Sequence, residues 1–431
     1  MSTSADTVQT QQTGEGAFYL PATPQPEGAE RITAIETVIP DNLMPALLLV
    51  RIHTERGHVG HGETYYAPHA VAAMIHDWMA RRLLGADALA IEAHWRFLYE
   101  RAANFGVRGA ELRAISALDV ALWDILGQVC GQPIYRLLGG PVRSEIPVYN
   151  SCGNPRYGRL APGVQGWPGY GALGEPGPLS DSYNLFHHPV ELAEELVEEG
   201  FGAMKVWPFD GAAHRHGGMR IPLDELEASV KPLRDIRAKV GERIELLVDG
   251  HGFFMLPAAL RIAEALRDVR PLWLEDILKM DNIETLADFR RQSGMPISAS
   301  EMLLSRADFA RVLEAKAADY VMIDPTWAGG ISETVRLAHL AQAYNVPVTM
   351  HDCTGPLTLF AGLHVNAAVP GCAFQETVRA HIRTLYDDLV EPNVQVQRGA
   401  AALPSGPGLG TRLNPELFTE ARATYRISRA N

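Results

Sequence analysis

The sequence predicts an α/β protein built on a (β/α) barrel of the TIM type, with an α+β unit ahead of it. Two observations predict this fold class. After Val142, short apolar runs that each end in a polar or charged residue alternate with helical patterns. Before it, three short apolar runs are separated by turn residues, as in an antiparallel meander. With 431 residues and 47 % apolar composition, the chain is long enough for two or three domains, unless a barrel takes up much of it.

The N-terminal part predicts a tail followed by the α+β unit. Residues 1–28 are polar and rich in Thr, Gln, Gly and Pro, so we expect a flexible tail. The three apolar runs cover residues 32–39, 46–52 and 58–63. A stripe with helical spacing then stops at Gly131, and its members are Ile115, Leu118, Leu122, Ile125 and Val129. We therefore predict that residues 29–145 form an α+β domain with its own core.

The barrel prediction covers residues 146–385. Its runs end at successive polar positions 23 to 27 residues apart from Asp249 onward, about the length of a strand, a loop and a three-turn helix. An open doubly wound sheet is the alternative, but no glycine-rich phosphate motif follows the first strand. Residues 386–431 return to Pro- and Gly-rich coil with a short helix, and we expect them to pack back on the first domain.

Residues 151–187 form a long segment after the first barrel strand, rich in Gly, Pro, Tyr and Trp. A loop of this length is usually functional or disordered. Its place at the catalytic face, with Trp167, Tyr170 and Tyr183, favours a substrate lid. An interface loop between subunits is the alternative.

Composition and charge exclude several classes of function. The net charge is −13 and no basic run occurs, which argues against a nucleic-acid partner. No apolar stretch is long enough to span a bilayer, and the first residues do not resemble a signal peptide. The four cysteines lie far apart without a Cys-x-x-Cys pair. We expect a reduced, cytoplasmic protein that acts on a small molecule.

Asp249, Glu275 and Glu301 are predicted to end three successive barrel strands. Three carboxylates at one rim repel one another unless a cation lies between them. Oxygen ligation at an open site suits Mg²⁺, so we predict these residues as its ligands. In the alternative, one of the three is only a salt-bridge partner, since charged residues are common at this rim.

His351 and Asp324 are predicted to end the seventh and sixth strands. Adjacent strands lie about 4.8 Å apart, so the carboxylate can hold one imidazole nitrogen and raise the basicity of the other. This pair predicts a general base, against the alternative of a structural histidine.

Three further residues at the strand ends carry predicted roles. His251, two residues after Asp249, could protonate a leaving hydroxyl or could only support the metal site. Lys205, on the second strand, would offset charge on a carboxylate. Glu376, on the eighth strand, could hydrogen-bond a developing oxyanion if it carries a proton.

These motifs together resemble the mandelate racemase subgroup of the enolase superfamily. The resemblance rests on Asp249-Gly-His-Gly, Glu275, Ser-Glu301, the segment that begins Asp324-Pro-Thr-Trp, and His351-Asp-Cys-Thr-Gly-Pro. Residues 116–124, Ser-Ala-Leu-Asp-Val-Ala-Leu-Trp-Asp, are similar to the family's helix at the end of its capping domain. The resemblance implies a modified (β/α)₇β barrel under an α+β capping domain, one Mg²⁺ per subunit, and removal of a proton α to a carboxylate by the His351–Asp324 dyad.

One departure from the family indicates the reaction. Racemases of the subgroup carry Lys-x-Lys on the second strand, whereas here the triplet is Lys205-Val206-Trp207, and an indole cannot accept a proton. The histidine of Asp249-Gly-His251 instead resembles the acid of galactonate and mannonate dehydratases. The resemblance therefore implies a dehydratase that converts an aldonate to a 2-keto-3-deoxy acid.

We further expect Asn150, Trp207 and Trp327 to line the substrate pocket, although ordinary packing at the rim is an equal explanation for the tryptophans. Two alternatives to the dehydratase remain open. Within the superfamily, the chain could be a racemase, an epimerase or a lactone cycloisomerase, with Lys205 as a second base. It could also be a non-catalytic sugar-acid-binding homologue. A homo-oligomer is expected because the capping helices are exposed.

Overall fold

A computed structural model describes residues 28–158 and 174–430. Most of the predicted tail, and Trp167 and Tyr170 of the predicted lid, lie outside these residues. Tyr183 lies on a short helix, Asp181–His187, where its ring stacks on His187 with centroids 4.0 Å apart. Among the described residues, no helix is both long and apolar enough to cross a membrane.

The capping domain begins with the predicted antiparallel meander. Its strands are Ile32–Val38, Leu47–Thr54 and Val59–Tyr65. A fourth strand, Arg426–Arg429, pairs with Ile32–Val38 at the opposite edge from Val59–Tyr65. The C-terminal segment thus contributes directly to this sheet.

The capping domain continues as a series of helices, of which the longest packs against the sheet. They are Pro68–Ala73, Met74–Met79 (a π-helical turn), Ala80–Leu83, Ile91–Ala102, Ala103–Phe105 (3₁₀), Ala110–Cys130 and Ile134–Leu137. The long helix Ala110–Cys130 carries the predicted stripe, which is buried except for Val129 in its last turn. It lies close to strand Val59–Tyr65, because a Cβ at Gly62 would come within 2.0 Å of the Ala117 carbonyl oxygen. Glycine at this position is therefore required by the close approach of helix and strand.

Eight parallel strands form a closed barrel, which confirms the predicted fold class. The last strand pairs with the first, with Gln375 opposite Val148. The strands are Glu145–Ser151, Ala203–Val206, Glu245–Asp249, Trp273–Glu275, Ile297–Ala299, Tyr320–Ile323, Val348–Met350 and Cys372–Thr377. Side chains fill the interior, and five of them form a separate buried cluster: Tyr149, Ala203, Leu247, Trp273 and Met322. The barrel is thus a packed core whose functional groups lie at its carboxyl end.

Helices occupy each of the seven connections between successive barrel strands, as expected for a (β/α)₇β barrel. In chain order they are Asp181–His187, Pro189–Glu198, Asp210–His216, Leu223–Val240, Leu256–Ala265, Ile283–Ser293, Arg306–Glu314, Gly330–Ala343 and Pro356–Ala368. After the eighth strand follow two short helices, Arg379–Thr384 and Tyr386–Leu389.

The C-terminal segment has more strand structure than its sequence indicates. Ala400–Ala402 pairs with Val396–Gln397 and with the first barrel strand, and Val390–Glu391 pairs with Arg412–Leu413. Its helical elements, in the described part up to residue 430, are the short helix Tyr386–Leu389 and the 3₁₀ turn Pro415–Leu417. Strands of two or three residues are too short to show a period in the sequence.

Direct hydrogen bonds join the capping domain to the barrel. The Asp119 carboxylate accepts from the Ser332 backbone at 3.0 Å and from its hydroxyl at 2.6 Å. Glu63 accepts from the backbone and the hydroxyl of Thr358, both at 2.7 Å. These contacts hold the capping domain over the carboxyl ends of the barrel strands.

Candidate active site

A cavity of about 460 Å³ lies between the capping domain and the carboxyl ends of the barrel strands. The capping domain contributes Tyr66, Arg108 and Arg113 to its wall. Eight residues predicted from the sequence also line it: Lys205, Trp207, Asp249, His251, Glu301, Trp327, His351 and Glu376. The barrel register therefore gathers most of the predicted site around one cavity.

The carboxylate cluster comprises Asp249, Glu275, Glu301 and Glu376, all buried. Asp249 and Glu275 are direct neighbours in the register of the third and fourth strands. The Lys205 ammonium lies among them, with Nζ 2.5 Å from Glu275 Oε1, 2.8 Å from Glu376 Oε1 and 3.3 Å from Asp249 Oδ2. A single lysine cation thus faces several acids.

The proximity of these acids shifts their protonation. Burial, and then the charges of Asp249, Glu376 and Glu301, raise the pKa of Glu275 well above its usual value, although Lys205 opposes the shift. Burial alone would lower the pKa of Lys205, but the surrounding carboxylates hold it well above its usual value. The cluster therefore carries more negative charge than Lys205 offsets.

The donor set fits a hard divalent cation. Glu301 Oε2 is buried, and the nearby Asp276 carboxyl, whose pKa is raised by burial and then by Glu301, is the group that interacts with this side chain. Oxygen donors at an open, charged rim suit Mg²⁺. As the side chains stand, no group of three His, Cys, Asp or Glu residues in the described ranges has the arrangement of a metal site. Glu275 is held by Lys205 on one oxygen and by the Trp273 indole, at 2.9 Å, on the other. Cation binding would thus require Glu275 to exchange these contacts.

His351 and Asp324 form the predicted dyad. His351 Nδ1 lies 2.8 Å from Asp324 Oδ2, and Nε2 lies 3.5 Å from the sulfur of Cys353, which also lines the cavity. The other Asp324 oxygen accepts from the backbone and hydroxyl of Thr326, at 2.7 and 2.9 Å. Burial would lower the pKa of His351, but the neighbouring Cys353, Glu376 and Asp324 hold it well above its usual value. A cation among the carboxylates would oppose this upward shift.

His251 has a carboxylate partner that the sequence analysis missed. Its Nδ1 lies 3.0 Å from Asp210 Oδ2, and its Nε2 lies 3.6 Å from Asp249 Oδ2. Asp210 is the first residue of helix Asp210–His216, which follows the second barrel strand. Burial would lower the pKa of His251, but Asp210 and Asp249 raise it to about 9. A pKa of about 9 keeps the imidazole protonated at neutral pH, as a general acid must be, and a cation held by Asp249 would oppose part of this shift.

The structure does not place Asn150 in the cavity wall, which corrects its expected position. Its amide donates to Asp181 at 2.8 Å and its carbonyl oxygen accepts from the Arg379 backbone at 2.9 Å. The first strand ends at Ser151, which does line the cavity. Successive side chains point to opposite faces of a strand, so an end displaced by one residue reverses the assignment.

Trp207 and Trp327 both line the cavity, beside the two histidines. The Trp207 ring lies 5.7 Å from that of His251, and the Trp327 ring 4.9 Å from that of His351. The Trp327 indole nitrogen is buried without a hydrogen-bond partner among the described residues. It is thus available to a ligand.

Comparison with known proteins identifies the class. Residues 30–139 match the family model for the mandelate racemase/muconate lactonizing enzyme N-terminal domain, and residues 189–417 match the enolase C-terminal domain-like model. The chain belongs to the mandelate racemase/muconate lactonizing enzyme family of the enolase superfamily, which confirms the resemblance noted in the sequence.

Several relatives resemble the chain over most of its length. A D-galactonate dehydratase from Pectobacterium atrosepticum is 30% identical, over 90% of this chain and 94% of the relative. A D-xylonate dehydratase from Haloferax volcanii is 30% identical, over 90% of this chain and 89% of the relative. An arabinonate dehydratase from Saccharolobus solfataricus is 27% identical, over 87% and 90%.

Solved structures agree with this fold. An enolase of the mandelate racemase subgroup from Agrobacterium tumefaciens is 36% identical, with a TM-score of 0.80 over 93% of this chain and 99% of that one. An enolase protein from the Sargasso Sea environmental genome is 38% identical, with a TM-score of 0.81 over 93% of this chain and 100% of that one.

Proposed function

We propose that the protein is a Mg²⁺-dependent dehydratase of sugar acids with the aldonate skeleton, of the galactonate or gluconate type. Such an acid has a proton at C2 and a hydroxyl at C3, and the product is a 2-keto-3-deoxy acid. The broader class, a hydro-lyase of sugar acids, is that of the curated relatives. The expected partner is this small molecule. We expect the protein itself to be a cytoplasmic homo-oligomer that binds neither nucleic acid nor membrane.

The observation that carries the proposal is the pair of carboxylate-held imidazoles on opposite sides of the barrel mouth. His351 follows the seventh strand and is held by Asp324, while His251 follows the third strand and is held by Asp210. The carboxylate cluster lies at the mouth between them. Elimination of water needs a base for the C2 proton and an acid for the departing hydroxyl, and this arrangement supplies both.

Each residue has a distinct role in the proposed reaction. His351 Nε2 removes the C2 proton while Asp324 holds Nδ1 and stabilises the imidazolium. Lys205 lies where it can offset charge that develops on the substrate carboxylate. Glu376 pairs with Lys205, and the charges of Lys205 and His351 lower its pKa despite burial, so its predicted hydrogen bond to an oxyanion would first require a proton. Mg²⁺, when held by Asp249, Glu275 and Glu301, supplies further positive charge for that carboxylate. His251 then donates a proton to the C3 oxygen as water leaves.

Two histidine substitutions separate the steps. In D₂O with Mg²⁺, His351→Asn should abolish C2-proton exchange, because the base is lost. His251→Asn should slow keto-acid formation by about 10²-fold or more yet retain exchange, because only the acid is lost. Exchange is followed by NMR and keto acid by a colorimetric assay, over a panel of aldonates and aldarates. His339→Asn, on the exposed side of helix Gly330–Ala343, is the matched control and should behave as the unsubstituted protein.

The outcomes discriminate among the candidate functions. Exchange without keto acid in the unsubstituted protein would favour a racemase, epimerase or cycloisomerase, since two opposed imidazoles also suit two-base chemistry. Binding of acids without exchange would indicate a non-catalytic homologue.

Mg²⁺ should raise the melting temperature of the His351→Asn variant as it does that of the unsubstituted protein, and loss of this shift would assign His351 a structural role.

A further inference from the structure

Arg113 brings a positive charge into the cavity from the capping domain. It lies on helix Ala110–Cys130 and lines the cavity wall, with intermediate solvent exposure. Its guanidinium carbon lies 4.3 Å from the centre of the Trp327 ring and 5.2 Å from that of Tyr66. The Tyr65 carbonyl oxygen accepts from its Nη1 at 2.8 Å. These contacts fix the plane of the guanidinium at the cavity wall.

No carboxylate in the described parts of the chain lies within 4.0 Å of the Arg113 nitrogens. Asp324 acts on Arg113 electrostatically, but its two oxygens already accept from Thr326 and His351. Arg108, the other arginine of the wall, differs because it forms an ion pair with Asp308. A guanidinium has five N–H donors, and one Arg113 hydrogen bond to the chain accounts for only one of them.

Arg113 and Lys205 have different surroundings in the cavity wall. The centre of the Trp327 ring lies 4.3 Å from the Arg113 guanidinium carbon and 4.9 Å from that of the His351 ring. Lys205 instead lies within the carboxylate cluster. A substrate of about six carbons, with bonds of ~1.5 Å, is long enough to extend from a carboxylate at the cluster past His351 toward Trp327 and Arg113.

We propose that Arg113 binds a second carboxylate at the far end of the substrate, so that the protein selects sugar diacids over acids that end in a hydroxymethyl group. This inference rests on the proposed dehydratase function and narrows its substrate class. A planar guanidinium pairs with a carboxylate through two parallel hydrogen bonds, which a terminal hydroxyl cannot match. A distal phosphate offers the same anionic chemistry, so the test includes it.

The test measures binding without turnover, in the His351→Asn background with Mg²⁺ present. Isothermal titration compares an aldonate, the diacid of the same stereochemistry and the 6-phosphate of that aldonate. We expect the diacid to bind at least about 30-fold more tightly than the aldonate, as expected for a charged hydrogen-bonded pair. Arg113→Met should reduce this ratio to about 3-fold or less, and Arg113→Lys should give an intermediate ratio.

Arg82→Met is the matched control, because Arg82 also stacks on an aromatic ring of the capping domain, 4.8 Å from the centre of Phe97, but is not part of the cavity wall. It should leave the ratio unchanged. Three results would overturn the inference. They are a ratio near one before substitution, an equal loss of affinity for the diacid and the aldonate in Arg113→Met, and tighter binding of the phosphate than of the diacid.

Failure of the inference is distinct from failure of the proposed function. Keto acid formed from aldonates but not from diacids would overturn only the assignment of Arg113. If neither class of acid loses its C2 proton in the unsubstituted protein, the dehydratase proposal itself fails.

Discussion

At the scale of single residues, each of the two site histidines is held by acids on both ring nitrogens. His251 lies between Asp210 and Asp249. His351 lies between Asp324, at 2.8 Å, and Glu376, at 3.9 Å. The sequence predicted both histidines from their positions at strand ends. It could not predict Asp210, because a helix-initiating aspartate is common and nothing local shows that it faces the third strand.

Asp210→Asn should narrow the pH range of dehydration. Asp210 helps to raise the pKa of His251 to about 9, and a raised pKa keeps the acid protonated to higher pH. Without this carboxylate, the alkaline limb of the kcat profile should move to lower pH, while C2-proton exchange persists. The measurement is kcat against pH for both reactions.

Glu225→Gln is the control for that profile, because Glu225 pairs with another histidine, His216, at 2.8 Å in a partly buried contact outside the cavity wall. It should leave the alkaline limb in place. An unchanged limb in Asp210→Asn would show that Asp210 does not tune the acid.

At the scale of strands and helices, the polar residues that end the apolar runs located the site to within one or two residues of the strand ends. Asp249 and Glu275 do end their strands, but Glu301 lies two residues beyond Ile297–Ala299 and His351 one beyond Val348–Met350. Despite these shifts, Glu301 and His351 still line the cavity. At Asn150 a shift of one residue removes the predicted side chain from the wall, because it exchanges an inward for an outward side chain.

The junction at the start of helix Gly330–Ala343 depends on a glycine. Gly330 has φ +85°, and a Cβ there would lie 2.2 Å from Asp119 Oδ1. Gly330→Ala should therefore lower the free energy of unfolding by roughly 3 kcal/mol, from backbone strain and displacement of Asp119. Thermal or denaturant unfolding measures the loss.

Gly294→Ala provides the comparison, because Gly294 also has positive φ, +66°, in the left-handed helical region, but a Cβ there would meet nothing within 4 Å. It should cost only about 1 kcal/mol of strain. Equal losses in the two variants would show that the close contact with Asp119 adds nothing.

At the scale of the whole molecule, stability depends on buried acids that join the domains. Burial raises the pKa of Asp119 to about 7, although the hydrogen bonds from Ser332 lower it. Burial likewise raises the pKa of Glu63 to about 7, although the hydrogen bonds from Thr358 lower it. In the unfolded chain these acids ionise near pH 4. The folded state therefore binds more protons between about pH 4 and 7, and their contribution to stability falls as pH rises through that window.

Asp119→Asn should flatten this dependence, since an amide oxygen can still accept from Ser332 but cannot ionise. The fall in melting temperature between pH 4 and 7 should be smaller than in the unsubstituted protein, in thermal scans at fixed ionic strength. Asp224→Asn, at an exposed helix start, should keep the original slope. The same slope in both variants would contradict the role given to Asp119.

The fold as a whole was more predictable than the contacts between its domains. Alternation of strand and helix patterns is repeated along the barrel, so no single ambiguous element decides the fold class. Arg113 has no such signal, because a lone arginine on an apolar helix gives no indication of what lies opposite it. Its significance depends on Trp327, which is more than two hundred residues away in the chain.

Strand Arg426–Arg429 lies beside Ile32–Val38 in the capping sheet, although the whole barrel separates the two in the chain. The cap is thus discontinuous in sequence. Transplanting it onto another barrel by one recombination crossover would leave an unpaired sheet edge. Chimeras with exchanged specificity therefore require two crossovers, one on each side of the barrel-coding stretch.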